Sequence, residues 1–281
     1  MNQDVNLSSY LGVFRDYLIC EERAAATIEK YVRDIRFFIR FIPPGQPLMK
    51  EAVLQYKQSL LQTYKTASAN SMLVAVNRFL EFIGRRDCQI KLYKIQQSPI
   101  RKREKELTKE EYRRLVLAAK QKQSERLSLL IQAICSTGIR VSEHRFITRE
   151  SLKSGIVSIR NKGKERSIFL SKELCRELLI YCRRKGIYSG PVFITRNGKP
   201  LNRCNIWAEM KGLCRTANVS PEKVYPHNLR HLFALTYYRL EKNIAHLADI
   251  LGHSSMENTR IYTSASDEEH IRILSRLNLL I

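Results

Sequence analysis

From about Asn6 to Gly84 the apolar residues recur at helical spacing: Leu7, Leu11, Phe14 and Leu18, then Ile28, Tyr31, Val32, Ile35, Phe38 and Ile39, then Met72, Val76, Phe79, Leu80 and Ile83. Steps of three and four residues do not fall on one face of a strand, so this third of the chain buries its apolar side chains only as helices packed on helices. The prolines of "IPPGQP" (Ile42 to Pro47) break the second helix, and a weaker helical stretch from about Leu48 to Leu61 follows. Residues 1–95 are expected to form a small bundle of four helices.

The pattern then changes. "QQSPIRKREK" (Gln96 to Lys105) is polar, carries one proline and four basic residues, and has no apolar period, so residues 96–105 read as a linker between two domains. A solvated basic loop and a segment lying along a phosphate backbone fit this stretch equally well. Thr108 and Glu111 make a capping-box pattern for a helix through about Lys120. Another helix, with Leu127, Leu130, Ile131 and Ile134 on one face, runs into "STGIR". "GIVSIRNKGKERSIFL" (Gly155 to Leu170) then holds two β-rich runs around a short basic turn, a hairpin signal. Helices resume from about Lys172, are interrupted by "YSGPVFITRNGKPL", and continue to the C-terminus. Residues 106–281 are expected to be mostly helical with a small antiparallel sheet. The fold class is therefore mainly α with a small antiparallel β-sheet.

A chain of 281 residues exceeds what one core usually organises, and an apolar fraction of 44% suffices for two. Lys and Arg outnumber Asp and Glu by 49 to 27, and the resulting +22 is spread along the chain. Such a field attracts a polyanion, most often nucleic acid. The seven cysteines (Cys20, Cys88, Cys135, Cys175, Cys182, Cys204, Cys214) are odd in number and include no Cys-x-x-Cys pair, so neither a disulfide framework nor a zinc site is indicated. "NQDVNLSSYL" lacks the basic start and apolar core of a signal peptide, and no window approaches a membrane span. A reducing, cytoplasmic setting without membrane contact is expected.

Three polar constellations interrupt the helical pattern. In "STGIRVSE", Arg140 follows a Thr-Gly turn near the expected start of a helix, where a guanidinium can offer a phosphate two parallel donors. In isolation, a surface arginine after a turn looks the same. In "HNLRHLFALT", His227 and Arg230 are three apart and project to one face of a helical turn, while His231 points elsewhere and Leu232 to Leu235 anchor the helix. That pair suits a phosphate needing charge and a proton acceptor. In "LGHSSMENTRIYT", Gly252 ends a helix, His253 follows at once, and Tyr262 stands nine residues further on. Tyrosine, with a reference pKa of about 10, is a poor nucleophile while protonated. Guanidinium and imidazole neighbours make it competent by stabilising phenolate or accepting its proton.

Arg, His-x-x-Arg, then His with Tyr nine residues on, in that order, resembles the tyrosine recombinase family of phage-integrase and Xer type. "TGIRVSE", "HNLRHLFA" and "LGHSSMENTRIYT" carry the resemblance, which spans about Lys105 to Ser264. "TIEKYVRDIRFF" (Thr27 to Phe38) is similar to the second helix of the family's core-binding domain. The resemblance implies an N-terminal helical core-binding domain and a C-terminal catalytic domain that close as a clamp around double-stranded DNA. Tyr262 would attack the scissile phosphate to form a 3′-phosphotyrosyl link and free a 5′-hydroxyl. Arg140 and Arg230 would hold the non-bridging oxygens, His227 would take the tyrosine proton, and His253 would donate a hydrogen bond to the phosphate. A lysine on the hairpin turn would protonate the leaving 5′-oxygen. The family turn usually reads Gly-Lys-Gly-x-Lys-x-Arg, and "NKGKER" (Asn161 to Arg166) is one residue shorter. Lys162 is the better match because it precedes the turn glycine, with Lys164 as the competitor. His144 stands where the family normally has an apolar residue.

No Gly-rich Lys-Ser/Thr phosphate loop and no carboxylate cluster suited to two metals occurs in the sequence. Reaction without metal, ATP or other cofactor is expected, since a phosphotyrosyl link stores the energy of the bond it replaces. The tail "SASDEEHIRILSRLNLLI" carries Ile271, Leu274, Leu277 and Ile281, an apolar stripe on a possible final helix. It would either fold onto its own domain or, as the resemblance implies, dock on a neighbouring protomer of a homo-tetramer. The implied activity is site-specific recombination through a Holliday junction, for integration, excision or resolution of a mobile element. Xer-type resolution of chromosome dimers shares all these residues. A type IB topoisomerase and a DNA-binding module without catalysis are the competing classes.

Overall fold

The computed structural model describes residues 7–43, 47–95, 103–161, 164–253, 255–262 and 275–276. The chain divides into two units, Met1–Gln97 and Ser98–Ile281. Residues 96–102 of the expected linker, Lys162 of the hairpin turn, and the tail from Ser264 on, apart from 275–276, lie outside the described residues.

The first unit contains α1 (Tyr10–Cys20), α2 (Ala25–Phe41), α3 (Lys50–Thr63) and α4 (Thr66–Phe82), the four helices that the apolar spacing predicts. Their inward stripes meet in one core, with Phe14, Ile35, Phe38, Val53, Leu73 and Phe79 fully buried. Phe14 stands edge-on to Phe79 with ring centroids 5.2 Å apart, and Phe38 does the same to Tyr56 at 5.1 Å. Beyond α4, two asparagines seven residues apart on that helix grip the departing chain. Asn77 exchanges hydrogen bonds with the backbone of Ile90 (2.8 and 3.1 Å), and Asn70 does so with Tyr93 (2.8 and 2.9 Å). Side-chain amides thereby replace the strand partner that an extended backbone would otherwise need.

In the second unit, α5 (Lys109–Gln121) starts on the predicted capping box. The Thr108 hydroxyl accepts from the Glu111 amide at 3.1 Å, and the Glu111 carboxylate accepts from the Thr108 amide at 2.8 Å. α6 (Glu125–Thr137) touches α5, α8 (Lys172–Lys185), α9 (Arg203–Lys211) and α11 (Pro226–Glu241). It is buried on nearly every side, Leu129 and Ala133 included, and not only along the stripe read from the sequence. The helix expected just after Arg140 is a six-residue 3₁₀ turn, Val141–Phe146. After the short α7 (Ser151–Ser154), β1 (Ile156–Asn161) and β2 (Lys164–Phe169) form the predicted antiparallel hairpin, with Val157 opposite Ile168 and Ile159 opposite Arg166. α10 (Cys214–Ala217), α12 (Ile244–Leu251) and α13 (Glu257–Arg260) complete the described helices.

Phe79→Ala removes a fully buried ring from the first unit. It should cost about 3–5 kcal/mol, read as a lower urea midpoint for that unit.

Candidate active site

Pro226 occupies the first turn of α11, where its missing N–H costs no hydrogen bond. The Asn228 amide pins that turn by donating to the carbonyls of Lys105 (2.9 Å) and Lys223 (2.8 Å). One turn on, Arg230 points inward and is only 1% exposed. Its Nη1 donates to the Gly138 carbonyl and its Nη2 to the Leu251 carbonyl, both at 2.6 Å. Those carbonyls stand at the C-terminal ends of α6 and α12, where helices leave acceptors unused and carry partial negative charge. Gly138 and Gly252, with φ of +66° and +60°, end the two helices in the left-handed conformation. Burial pulls the Arg230 pKa down to about 10, with Arg140 contributing, which still leaves the group charged at neutral pH.

Arg140 and Arg166 converge on Glu143, a carboxylate 1% exposed. Arg140 donates to it from the backbone (2.8 Å) and from Nη1 (3.0 Å), and Arg166 from Nη2 (2.7 Å). The remaining Arg140 fork, Nη2, donates to the Gly252 carbonyl at 2.9 Å. Gly252 also leaves room for Arg166, because a Cβ there would sit 2.4 Å from Arg166 Nη1. Three guanidinium groups thus share one buried carboxylate and a few carbonyls, a surplus of two positive charges among the described residues. Such a surplus in a half-buried setting calls for an anion.

His253, directly after Gly252, has its Nε2 3.1 Å from Arg230 Nη2 and its Nδ1 2.8 Å from Thr259 Oγ1. Burial first, then Arg230, Arg140 and Arg166, push its pKa down to about 4. Tyr262 is 3% exposed. Its ring lies 4.9 Å from that of His231 and, nearly parallel, 6.4 Å from that of His253. Burial raises the Tyr262 pKa while Arg230 and Arg140 lower it, and burial wins, so the resting phenol is protonated. His227 lines a cavity of about 770 Å³ together with Arg140, Arg230, Arg203, Trp207 and Tyr225. Burial and the neighbouring Arg230 lower its pKa, which keeps the imidazole neutral and able to accept a proton.

Residues 105–269 match the sequence profile of the phage integrase family, more than half of the chain. The chain belongs to the phage integrase family. The tyrosine recombinase XerA of Pyrococcus furiosus is 28% identical over 290 aligned positions that span 100% of this chain and 98% of that protein. The tyrosine recombinase XerD of Vibrio cholerae is 28% identical over 266 positions, 87% of each chain. The fold is also that of XerH recombinase bound to difH substrate (TM-score 0.71, 19% identity, 97% of this chain and 85% of that one). It likewise matches a lambda integrase tetramer bound to a Holliday junction (TM-score 0.74, 18% identity, 95% and 80%).

In this phage integrase family member, Arg140, Arg230, His253 and Tyr262 come together in one cluster, with His227 on the adjoining cavity. The expected lysine, Lys162, falls outside the described residues, and Lys164 opens β2. His144, the departure from the family pattern, is buried, with Nδ1 bonded to the Val141 carbonyl and its ring edge-on to Phe193. It packs the 3₁₀ turn and stays neutral because burial lowers its pKa. Sequence reasoning sent His231 away from the site, whereas its ring covers Tyr262 and its Nε2 lies 3.5 Å from Glu106. Glu143 and Arg166 were given no role. The signal for Arg166 lies in the hairpin period, which sets it on the inward face with Ile168, opposite buried Ile159.

Glu143→Gln should strand two partly buried guanidinium groups and destabilise the second unit by about 3–5 kcal/mol in chemical denaturation. His227 and His253 bind protons more weakly folded than unfolded, so their contribution is complete above pH 6.5, the unfolded value. It is lost as pH falls towards 4, the folded value of His253. The unfolding temperature should therefore drop across that window, less steeply in His253→Gln.

Proposed function

We propose that this chain is a site-specific DNA recombinase that cuts and rejoins double-stranded DNA through a phosphotyrosyl link to Tyr262. The observation that carries this reading is the surplus of guanidinium charge beside a buried tyrosine of the same chain. A phosphodiester placed there would meet Arg140 and Arg230 at its non-bridging oxygens as the pentavalent transition state gains charge. The Tyr262 oxygen attacks phosphorus, its proton passes to His227, and the bond to the 5′-oxygen breaks. That oxygen takes a proton from Lys162, or from Lys164 if the shorter turn shifts the role, and the 3′ end stays on Tyr262. Attack by a partner 5′-hydroxyl reverses these steps and leaves a Holliday junction. Neither metal nor ATP enters this sequence of bonds.

Four protomers on two sites are proposed, as in the lambda integrase tetramer on a Holliday junction, with the tail beyond Ser264 docking on a neighbour. Among the described residues no helix is long and apolar enough to cross a membrane, and all seven cysteines are free, which supports the cytoplasm as the place of action. Integration, excision or resolution of a mobile element is the first biological reading. A second reading, a Xer-type resolvase, draws on the near full-length match to the XerA and XerD recombinases.

The test is a suicide duplex nicked near candidate crossover sites from the DNA flanking the gene, incubated without metal or ATP. A denaturation-resistant adduct that Tyr262→Phe abolishes is expected, and Arg230→Lys should lower its rate by about 10²–10³-fold. No adduct on DNA that the protein binds would indicate a binding module, and relaxation of supercoiled DNA lacking any site would indicate a topoisomerase. Ending the chain after Ser264 should spare DNA binding and impair strand exchange. Binding itself should weaken steeply with salt.

A further inference from the structure

His253 is engaged at both ring nitrogens, and the two partners fix where its proton sits. Arg230 Nη2, 3.1 Å from Nε2, is a donor and never an acceptor, so Nε2 presents its lone pair. The proton of the neutral ring therefore resides on Nδ1 and is donated to Thr259 Oγ1 at 2.8 Å. This tautomer is the inverse of the one that donates to a phosphate, which needs hydrogen on Nε2. Protonating both nitrogens is opposed by burial and by three neighbouring guanidinium groups.

We propose that Thr259 is the positioning residue that lets His253 exchange tautomers. Its hydroxyl accepts from Nδ1–H in the free protein and donates to Nδ1 once a phosphate lies opposite Nε2. The proposal rests on the reading of the Arg140 and Arg230 cluster as a phosphate site. A hydroxyl is suited to this because it both donates and accepts. A carbonyl or carboxylate at the same place would lock the Nδ1–H form, and a backbone N–H would lock the other. Thr259 is fully buried, which denies solvent to its side chain and leaves His253 as its observed side-chain partner. In the exchange the half-buried ring takes a proton from water on Nε2 and returns its Nδ1 proton to water while its contact with Thr259 is open, with no net change in charge. Arg230 Nη2, freed from Nε2, turns to the phosphate. Thr259 also accepts the Tyr262 amide at 3.0 Å, so the residue that sets the histidine also holds the turn bearing the nucleophile.

The experiment uses the full chain with ¹⁵N-labelled histidine and arginine, and reads two-bond ¹H–¹⁵N histidine spectra and arginine guanidinium spectra at neutral pH with and without tungstate as the phosphate probe. His253→Gln assigns the signals. The expected result is Nδ1–H in the free protein and Nε2–H with tungstate bound. Thr259→Ser should retain the exchange. Thr259→Val should lose it and slow adduct formation about tenfold at unchanged duplex affinity, roughly the worth of one hydrogen bond. The wild-type spectra need no variant to fold. Nε2–H in the free protein overturns the proposal, as does an unchanged tautomer or an imidazolium while tungstate shifts the Arg230 guanidinium signals. Tungstate that moves neither Arg140 nor Arg230 signals defeats the phosphate-site reading, and this proposal with it.

Discussion

Two helices that end 114 residues apart in the chain, α6 at Thr137 and α12 at Leu251, aim their terminal carbonyls at the one guanidinium of Arg230. Each partner solves a problem for the other. A guanidinium buried without acceptors costs several kcal/mol, and so do buried carbonyls without donors. The negative ends of two helix dipoles make the pairing better than two isolated carbonyls would. Because Gly138 precedes Arg140 by two residues and Leu251 precedes His253 by two, fixing those carbonyls also fixes the starting points of both site segments. Folding of the second unit and assembly of the site are one event.

The same arrangement leaves an electrostatic debt within the site. Unit charges 4 Å apart interact by about 4 kcal/mol at an effective dielectric near 20. Glu143 therefore relieves two of the three arginines by salt bridges, and the third relies on carbonyl dipoles alone. An arriving phosphodiester would reduce the surplus and stabilise the cluster. It would also weaken the field that favours a Tyr262 phenolate. Burial already outweighs that field in the free protein, so under the proposed reaction the arginines would hold the phosphate while a separate base would have to take the proton. The depressed pKa of His227 keeps such a base available at neutral pH.

The helical first unit was legible because period 3.6 is a local property, and the capping box at Thr108 and the hairpin at 156–169 were legible for the same reason. Arg140, Arg230, His253 and Tyr262 could be named because their types and order are retained in the chain. Contacts between distant segments left no such trace. Nothing near His231 in sequence announces Tyr262, thirty-one positions on, and nothing beside Glu143 announces Arg166. The expected helix after Arg140 is a 3₁₀ turn, from which Glu143 turns inward to meet Arg140 and Arg166. These contacts between side chains, most of them from distant segments, are what local propensity left open.

His231 shows how far such contacts extend. Adjacent helical residues diverge by about 100°, so placing Arg230 in the interior turns His231 to the flank of α11. There its ring covers Tyr262 on one side while its Nε2 approaches Glu106, the residue that follows the end of the basic stretch at Lys105. The Lys105 carbonyl is in turn held by Asn228, one turn earlier on the same helix. The segment entering the second unit is thus tied to α11 at two points, and α11 presents His227 to the cavity, Arg230 to the interior and His231 to Tyr262. A displacement of residues 105–106 would act on the packing of Tyr262 through a chain of only two contacts, Glu106 to His231 and His231 to Tyr262.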